Sequence, residues 1–228
     1  MRMDRSEILP CFSDSFRFVW CVTAFFDNAK GRTLTMTNEG STNVSLIERV
    51  RVHDSQAWTQ LVDLYGPLIA YWCRRSGVPE RSMGDCVQNV FVAVLRSLVN
   101  FRFDAGRKSF RAWLWGITRH KCIDMLRSDG LHPSAVGGST ALKQIEQWTD
   151  NEWSEFTEPL EISRLVERAL EQVKTEFEEK TWRAFWRTTV DGIATPLVAK
   201  ELDITSAAVR QYRSRVLRRL RNQLGEFE

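Results

Sequence analysis

Glycine, proline, histidine and cysteine are all scarce in this chain: 12, 6, 3 and 5 among 228 residues. Apolar residues make up 43% and charged residues 27%. With so little glycine and proline, that balance excludes a collagen-like, low-complexity or disordered chain. The cysteines (Cys11, Cys21, Cys73, Cys86, Cys122) show no CxxC or CxxxC spacing. They therefore favour neither a zinc site nor a disulfide framework, and the natural setting is a reducing one, the cytoplasm. Cys73, Cys86 and Cys122 fall inside helical patterns and are expected as small buried thiols. His120 and Cys122 are two apart, so on a helix they point away from each other. No metal or cofactor site is expected.

A long apolar run is also missing. The longest uncharged one, Phe18 to Phe26, has nine residues, too short to cross a bilayer. Nor is there an excess of one charge, since 32 basic against 29 acidic residues leave +3. Partners must therefore be read from where the charges lie. At about 150 residues per domain, the length allows one medium domain or two small ones. Met36 opens a polar lead-in, so residues 1–43 are expected to be an N-terminal extension outside the fold.

What is present is helix after helix. Leu46, Ile47 and Val50 give a short one-faced helix. Asp54 can cap the next, in which Trp58, Leu61, Val62, Tyr65, Leu68 and Ile69 keep a 3.6-residue period, and Pro67 should kink it or end its first half. A third helix carries Val87, Val90, Phe91, Val94, Leu95 and Leu98. A fourth starts at a plausible Ser109 cap, with Phe110, Trp113, Leu114, Ile117 and Ile123 on the buried face; Trp115 falls off that face. No alternating apolar run of strand length occurs, so the expected class is all-α.

Residues 128–159 break the rhythm with HPS and GG, and the window 128–161 holds one lysine against seven acids. This stretch reads as an acidic linker. It separates two basic windows. Residues 102–127 hold seven basic residues against Asp104 and Asp124, and 206–228 hold six arginines against Glu226 and Glu228. Beyond the linker, amphipathic helices carry Leu165, Val166, Leu170 and Val173, then Trp182, Phe185 and Trp186.

After these, a short helix around Leu197–Leu202 should stop at Asp203, and a longer one should start near Ser206. Ala199 lets the second helix cross closely, while Ile204 and Val209 supply the buried contacts. That is the pattern of a helix-turn-helix. The turn asks for a positive φ, which Asp tolerates better than most residues at about 1 kcal/mol. Arg210, Arg213, Arg215, Arg218, Arg219 and Arg221 crowd the second helix, as they would in a reader of duplex DNA.

The words DCVQNVF, FRFDAGRKSFRAWLWGITRHKCIDMLR and LVAKELDITSAAVRQYRSRVLRRLR, in that order and separation, resemble the extracytoplasmic-function (ECF) class of bacterial RNA polymerase sigma factors. The resemblance implies two small helical domains, at 44–127 and 160–228, joined by the acidic linker. It implies that the first binds core RNA polymerase, with Asp85, Gln88 and Phe91 at matching positions; Asn89 stands where the family usually has an acid. It implies further that the segment around 103–127 meets the −10 promoter element and helps open it. There Arg107, Lys108, Arg111, Arg119, Lys121 and Arg127 would hold phosphates, and Trp115 is the candidate for an unstacked base. The helix from Ser206 would read the −35 element in the major groove through Ser206, Ala207, Arg210, Gln211, Arg213 and Arg215. The partners implied are core polymerase, promoter DNA that is double-stranded with a single-stranded −10 region, and an anti-sigma factor.

Two other classes fit the sequence less well. A free-standing helix-turn-helix regulator would bind a palindrome as a dimer, and no heptad helix offers a dimer seam. An enzyme such as a nuclease would need convergent carboxylates, whereas the acids cluster in the linker and no nucleophile or phosphate-loop motif occurs. No catalysis and no membrane association are expected.

Overall fold

The computed structural model describes residues 45–101, 110–128 and 154–225, with positions 143, 145–147, 149 and 152 between them. Among the described residues every regular element is helical. Two compact units result: 45–172 together with 219–225, and 173–218.

In the larger unit, Ser45 and Glu48 form a capping box that starts α1 (Leu46–Arg51). Asp54 starts α2 (Ser55–Arg75). One of its carboxylate oxygens accepts the backbone N–H groups of Gln56 and Ala57 at 2.9 and 3.1 Å, and the other takes Nε of Arg49 at 2.8 Å. Those partners, the Ala57 amide first, hold its pKa below the usual carboxylate range.

Pro67 does not end the first half of the helix, and α2 continues past it. The ring is exposed, so it meets solvent instead of a neighbouring helix, and the missing N–H leaves unpaired one carbonyl that water can reach. α3 (Glu80–Ser97) ends in a 3₁₀ turn (Leu98–Asn100), and α4 is Phe110–Ser128. The expected Ser109 cap lies outside the described residues, as do residues 1–44.

The core of this bundle is the apolar face of α2 closed by α3 and α4. Leu61, Leu64, Tyr65, Leu68, Ile69 and Trp72 meet Cys86, Val90 and Val94 on one side and Phe110, Leu114 and Trp115 on the other, all buried. Each large apolar side chain buried here contributes about 1.5–3 kcal/mol. Leu95 is 43% exposed and Trp113 and Ile117 are half-buried, so the apolar stripes of α3 and α4 lie slightly rotated from those the period suggests.

α5 (Pro159–Lys174) returns against α2, where Arg168 Nε donates to the Leu64 carbonyl at 3.1 Å and Gln172 Nε2 to that of Gln60 at 3.0 Å. The chain end closes the unit. The buried Tyr65 hydroxyl donates to the Leu224 carbonyl at 2.7 Å, and burial pushes its pKa up. Gly225 sits at φ 61°, where a Cβ would lie 3.0 Å from that of Phe110.

The smaller unit contains α6 (Glu179–Thr189), α7 (Thr195–Leu202) and most of α8 (Ser206–Gln223). Ala184, Val198, Ala199, Leu202 and Val209 form its buried centre, with Ile193, Ile204 and Tyr212 packed around it. Small residues on facing helices let the backbones approach closely, as expected of Ala199.

Candidate nucleic-acid interface

α7 stops at Asp203, which takes the left-handed conformation at φ 51°, ψ 58°. The backbone N–H of Ile204 then donates to the Ala199 carbonyl at 3.0 Å, satisfying one of the orphan acceptors of the helix end. Two residues later α8 begins, with the Thr205 hydroxyl accepting the Ala208 N–H at 3.1 Å. The turn thus sets α8 across α7 by backbone geometry.

Two arginines brace the same unit. Glu201 receives Arg183 at 3.0 Å and Arg187 at 3.0 Å, and Arg187 also holds Asp191 at 2.8 Å. Arg187 first, then Arg183, keeps the Glu201 carboxyl below its ordinary range; hydrogen bonds to Asp191 and Glu201 push the Arg187 guanidinium up.

On α8, Ala207, Arg210, Gln211 and Arg215 are exposed, and Ser206 and Arg213 half-buried. Among the described residues no acid pairs with Arg210 or Arg215. The arginines do not form one uniform row. Arg219 is 7% exposed and belongs to the buried side with Val216, Leu217 and Leu220, and Arg213, Arg218, Arg219 and Arg221 all have partners within the protein. The surface α8 leaves open to a ligand is therefore its N-terminal part, residues 206–215.

In the larger unit, Asp85, Gln88 and Asn89 stand exposed along α3. Phe91 does not join them. It is 9% exposed, edge-on to Trp58 at 5.8 Å, so it seats the helix and offers little to a partner.

The assignment of Trp115 to an unstacked base needs correction. Its side chain is fully buried, edge-on to Trp72 at 5.5 Å and stacked at 4.4 Å on Phe156, and its Nε1 donates to the Thr149 carbonyl at 3.1 Å. Trp113 is the half-exposed one, packed on Phe101 at 4.6 Å and Phe110 at 5.4 Å. Residues of the acidic segment cover α4 on its second side. Arg119 donates to the Ile145 and Glu146 carbonyls at 3.0 Å each, Arg127 pairs with Glu146 at 2.7 Å, and Trp72 Nε1 donates to the Thr157 hydroxyl at 2.8 Å. Arg111 is half-buried and partnered, and Lys121 faces Asp124 at 3.5 Å. Arg107 and Lys108 lie outside the described residues.

Residues 61–131, from α2 through α4, match the family Sigma-70 region 2. That match covers α2 to α4 and leaves the helix-turn-helix outside it. The chain is 37% identical over 87 residues to the RNA polymerase sigma factor NccH of Alcaligenes xylosoxydans xylosoxydans, a match covering 38% of this chain and 45% of that one. It is 28% identical over 196 residues to the ECF RNA polymerase sigma factor SigD of Mycobacterium tuberculosis H37Rv, covering 83% and 87%. A solved structure of CnrH in complex with the cytosolic domain of CnrY matches at 23% identity over 77% of this chain and 92% of that one, with a TM-score of 0.31. The family match and the relatives support an ECF-type RNA polymerase sigma factor. The chain spans less than half the length of NccH.

Among the described residues no helix is long and apolar enough to cross a membrane.

Proposed function

We propose that this protein binds bacterial core RNA polymerase in the cytoplasm and directs initiation at promoters by recognising −10 and −35 elements and assisting their opening. The observation that carries the reading is the pairing of a region 2 match over α2–α4 with a helix-turn-helix whose second helix exposes Arg210, Gln211 and Arg215. Residues 44–127 would serve polymerase and the −10 element, 128–159 would connect, and 160–228 would serve the −35 element. Asp85 and Gln88 are the polymerase contacts on α3. Ser206, Ala207, Arg210, Gln211, Arg213 and Arg215 are the −35 readers, with arginine bidentate to guanine as the strongest base contact available to them.

At the −10 element, Arg107, Lys108, Arg111, Arg119 and Lys121 are phosphate contacts. The aromatic that receives a base is Trp113, because Trp115 has no free face. Arg119 cannot donate to a phosphate and to the Ile145 and Glu146 carbonyls with the same N–H groups. DNA engagement there therefore displaces part of the acidic segment. An anti-sigma factor is the further partner of this class. The chain performs no catalysis; strand opening draws on binding energy shared with polymerase.

Run-off transcription with purified core polymerase on genomic fragments tests the reading. Discrete start sites that require the protein support it; binding of the isolated protein as a dimer to a palindromic duplex, without polymerase-dependent initiation, replaces it with a free-standing regulator.

A further inference from the structure

Three cysteines that are far apart in sequence meet at the centre of the larger unit. Cys73 comes from α2, Cys86 from α3 and Cys122 from α4, and all three are fully buried. Their sulfurs lie 3.7, 3.7 and 4.0 Å apart. A triangle with those sides has its centre about 2.2 Å from each corner, close to the roughly 2.3 Å of a metal–thiolate bond. Among the described residues no His, Asp or Glu joins the three. The Ser76 hydroxyl beside Cys122 is neutral and donates to the Trp72 carbonyl at 2.7 Å.

We propose that Cys73, Cys86 and Cys122 form a binding site for one trivalent thiophilic ion of the arsenite class. Three observations select that ion. The donor set is sulfur alone, which excludes hard cations. It has three members, which suits a three-coordinate ion, whereas structural zinc takes four. The third is charge. All three thiols are fully buried, and among the described residues no Lys or Arg donates to any of them. Three thiolates around Cu(I) or Zn(II) would bury a net negative charge with no cation to offset it, which is costly in a dry core. Arsenite avoids this. Three thiols and As(OH)₃ give a neutral tris-thiolate and three waters: three As–O bonds break, three As–S bonds form, each hydroxide leaves with one thiol proton, and no atom changes oxidation state.

Such an ion would tie together the three helices that make up the region 2 match, one residue from Asp85. The site is independent of the polymerase and promoter reading.

The test uses the reduced full-length chain carrying Cys11→Ser and Cys21→Ser, so that no other thiols compete. After anaerobic incubation with sodium arsenite and desalting, native mass spectrometry should show one arsenic per chain with loss of three hydrogens. X-ray absorption should show three sulfur neighbours, and the melting midpoint should rise. Adding Cys122→Ala or Cys73→Ser should abolish retention. Absence of bound arsenic, fewer than three sulfur neighbours, equal retention by the cysteine variants, or firmer retention of Cu(I) or Zn(II) than of arsenite overturns the assignment. If both variants lose their helical circular dichroism, the sulfur count on the parent chain decides alone.

Discussion

Asp203 shows how far a single residue can be argued from its type. It occupies the left-handed region at φ 51°, a conformation glycine takes without steric cost and aspartate at about 1 kcal/mol. Asp203→Gly should therefore stabilise the protein by about 1 kcal/mol and leave the turn in place; a thermal melt showing a lower midpoint would mean that the aspartate side chain contributes something the glycine lacks. The two tryptophans of α4 teach the opposite lesson. Helical period placed Trp113 on the core face and Trp115 off it, yet Trp115 is the buried one. A period identifies one apolar face, and α4 is covered on two sides, by α2 and α3 and by the segment carrying Thr149 and Phe156. Nothing in the local spacing encodes the second cover. Trp115→Ala should cost about 3–5 kcal/mol in a urea titration, whereas Trp113→Ala should keep most of the stability and impair promoter opening, read by permanganate footprinting with polymerase.

At the scale of elements, helix starts and stops were the most legible features, because caps are local chemistry. Asp54 caps α2, α7 stops at Asp203 and α8 starts at Ser206, as the sequence pattern indicates; the Thr205 cap is not part of that pattern. Convergence was not legible: the spacings 73, 86 and 122 give no hint that three thiols share one point, since that depends on how α2, α3 and α4 cross. Nor did sequence show the ion pairs joining α6 and α7. Those pairs make the smaller unit sensitive to acid. Glu201 has its folded pKa lowered by Arg187 and Arg183, so the stabilisation is fully present above the unfolded glutamate value and is lost as pH falls through the folded one. The protection of the α7 amides, taken relative to their intrinsic exchange rates at each pH, should fall over that acidic window and with added salt, and Glu201→Gln should remove both dependences. Identical pH profiles for parent and variant would show that other carboxylates govern the unit.

At the scale of the whole molecule, the two proposed binding functions rest on different compact units, with Asp85 and Gln88 in 45–172 and Arg210 and Arg213 in 173–218. Asp85 and Gln88 are exposed polar residues off the stripe of Val90, Phe91 and Val94, so alanine at both positions should leave the melting midpoint nearly unchanged. Arg210 and Arg213, three apart at the start of α8, share a face away from the buried Val209 and Val216. Loss of one bidentate guanine contact costs about 1–3 kcal/mol, and loss of a phosphate contact weakens every sequence alike and lowers the salt slope. The two double variants should therefore separate. Asp85→Ala with Gln88→Ala should weaken association with core polymerase while duplex −35 DNA is still discriminated by the variant. Arg210→Ala with Arg213→Ala should bind polymerase normally and lose dependence on the −35 sequence. Pull-down on immobilised core enzyme and transcription from templates with mutated −35 elements read the two arms. If the arginine pair proves dispensable for −35 dependence, α8 is not the reader; if the α3 pair leaves polymerase affinity intact, the polymerase face lies elsewhere on the bundle, and each result stands without the other.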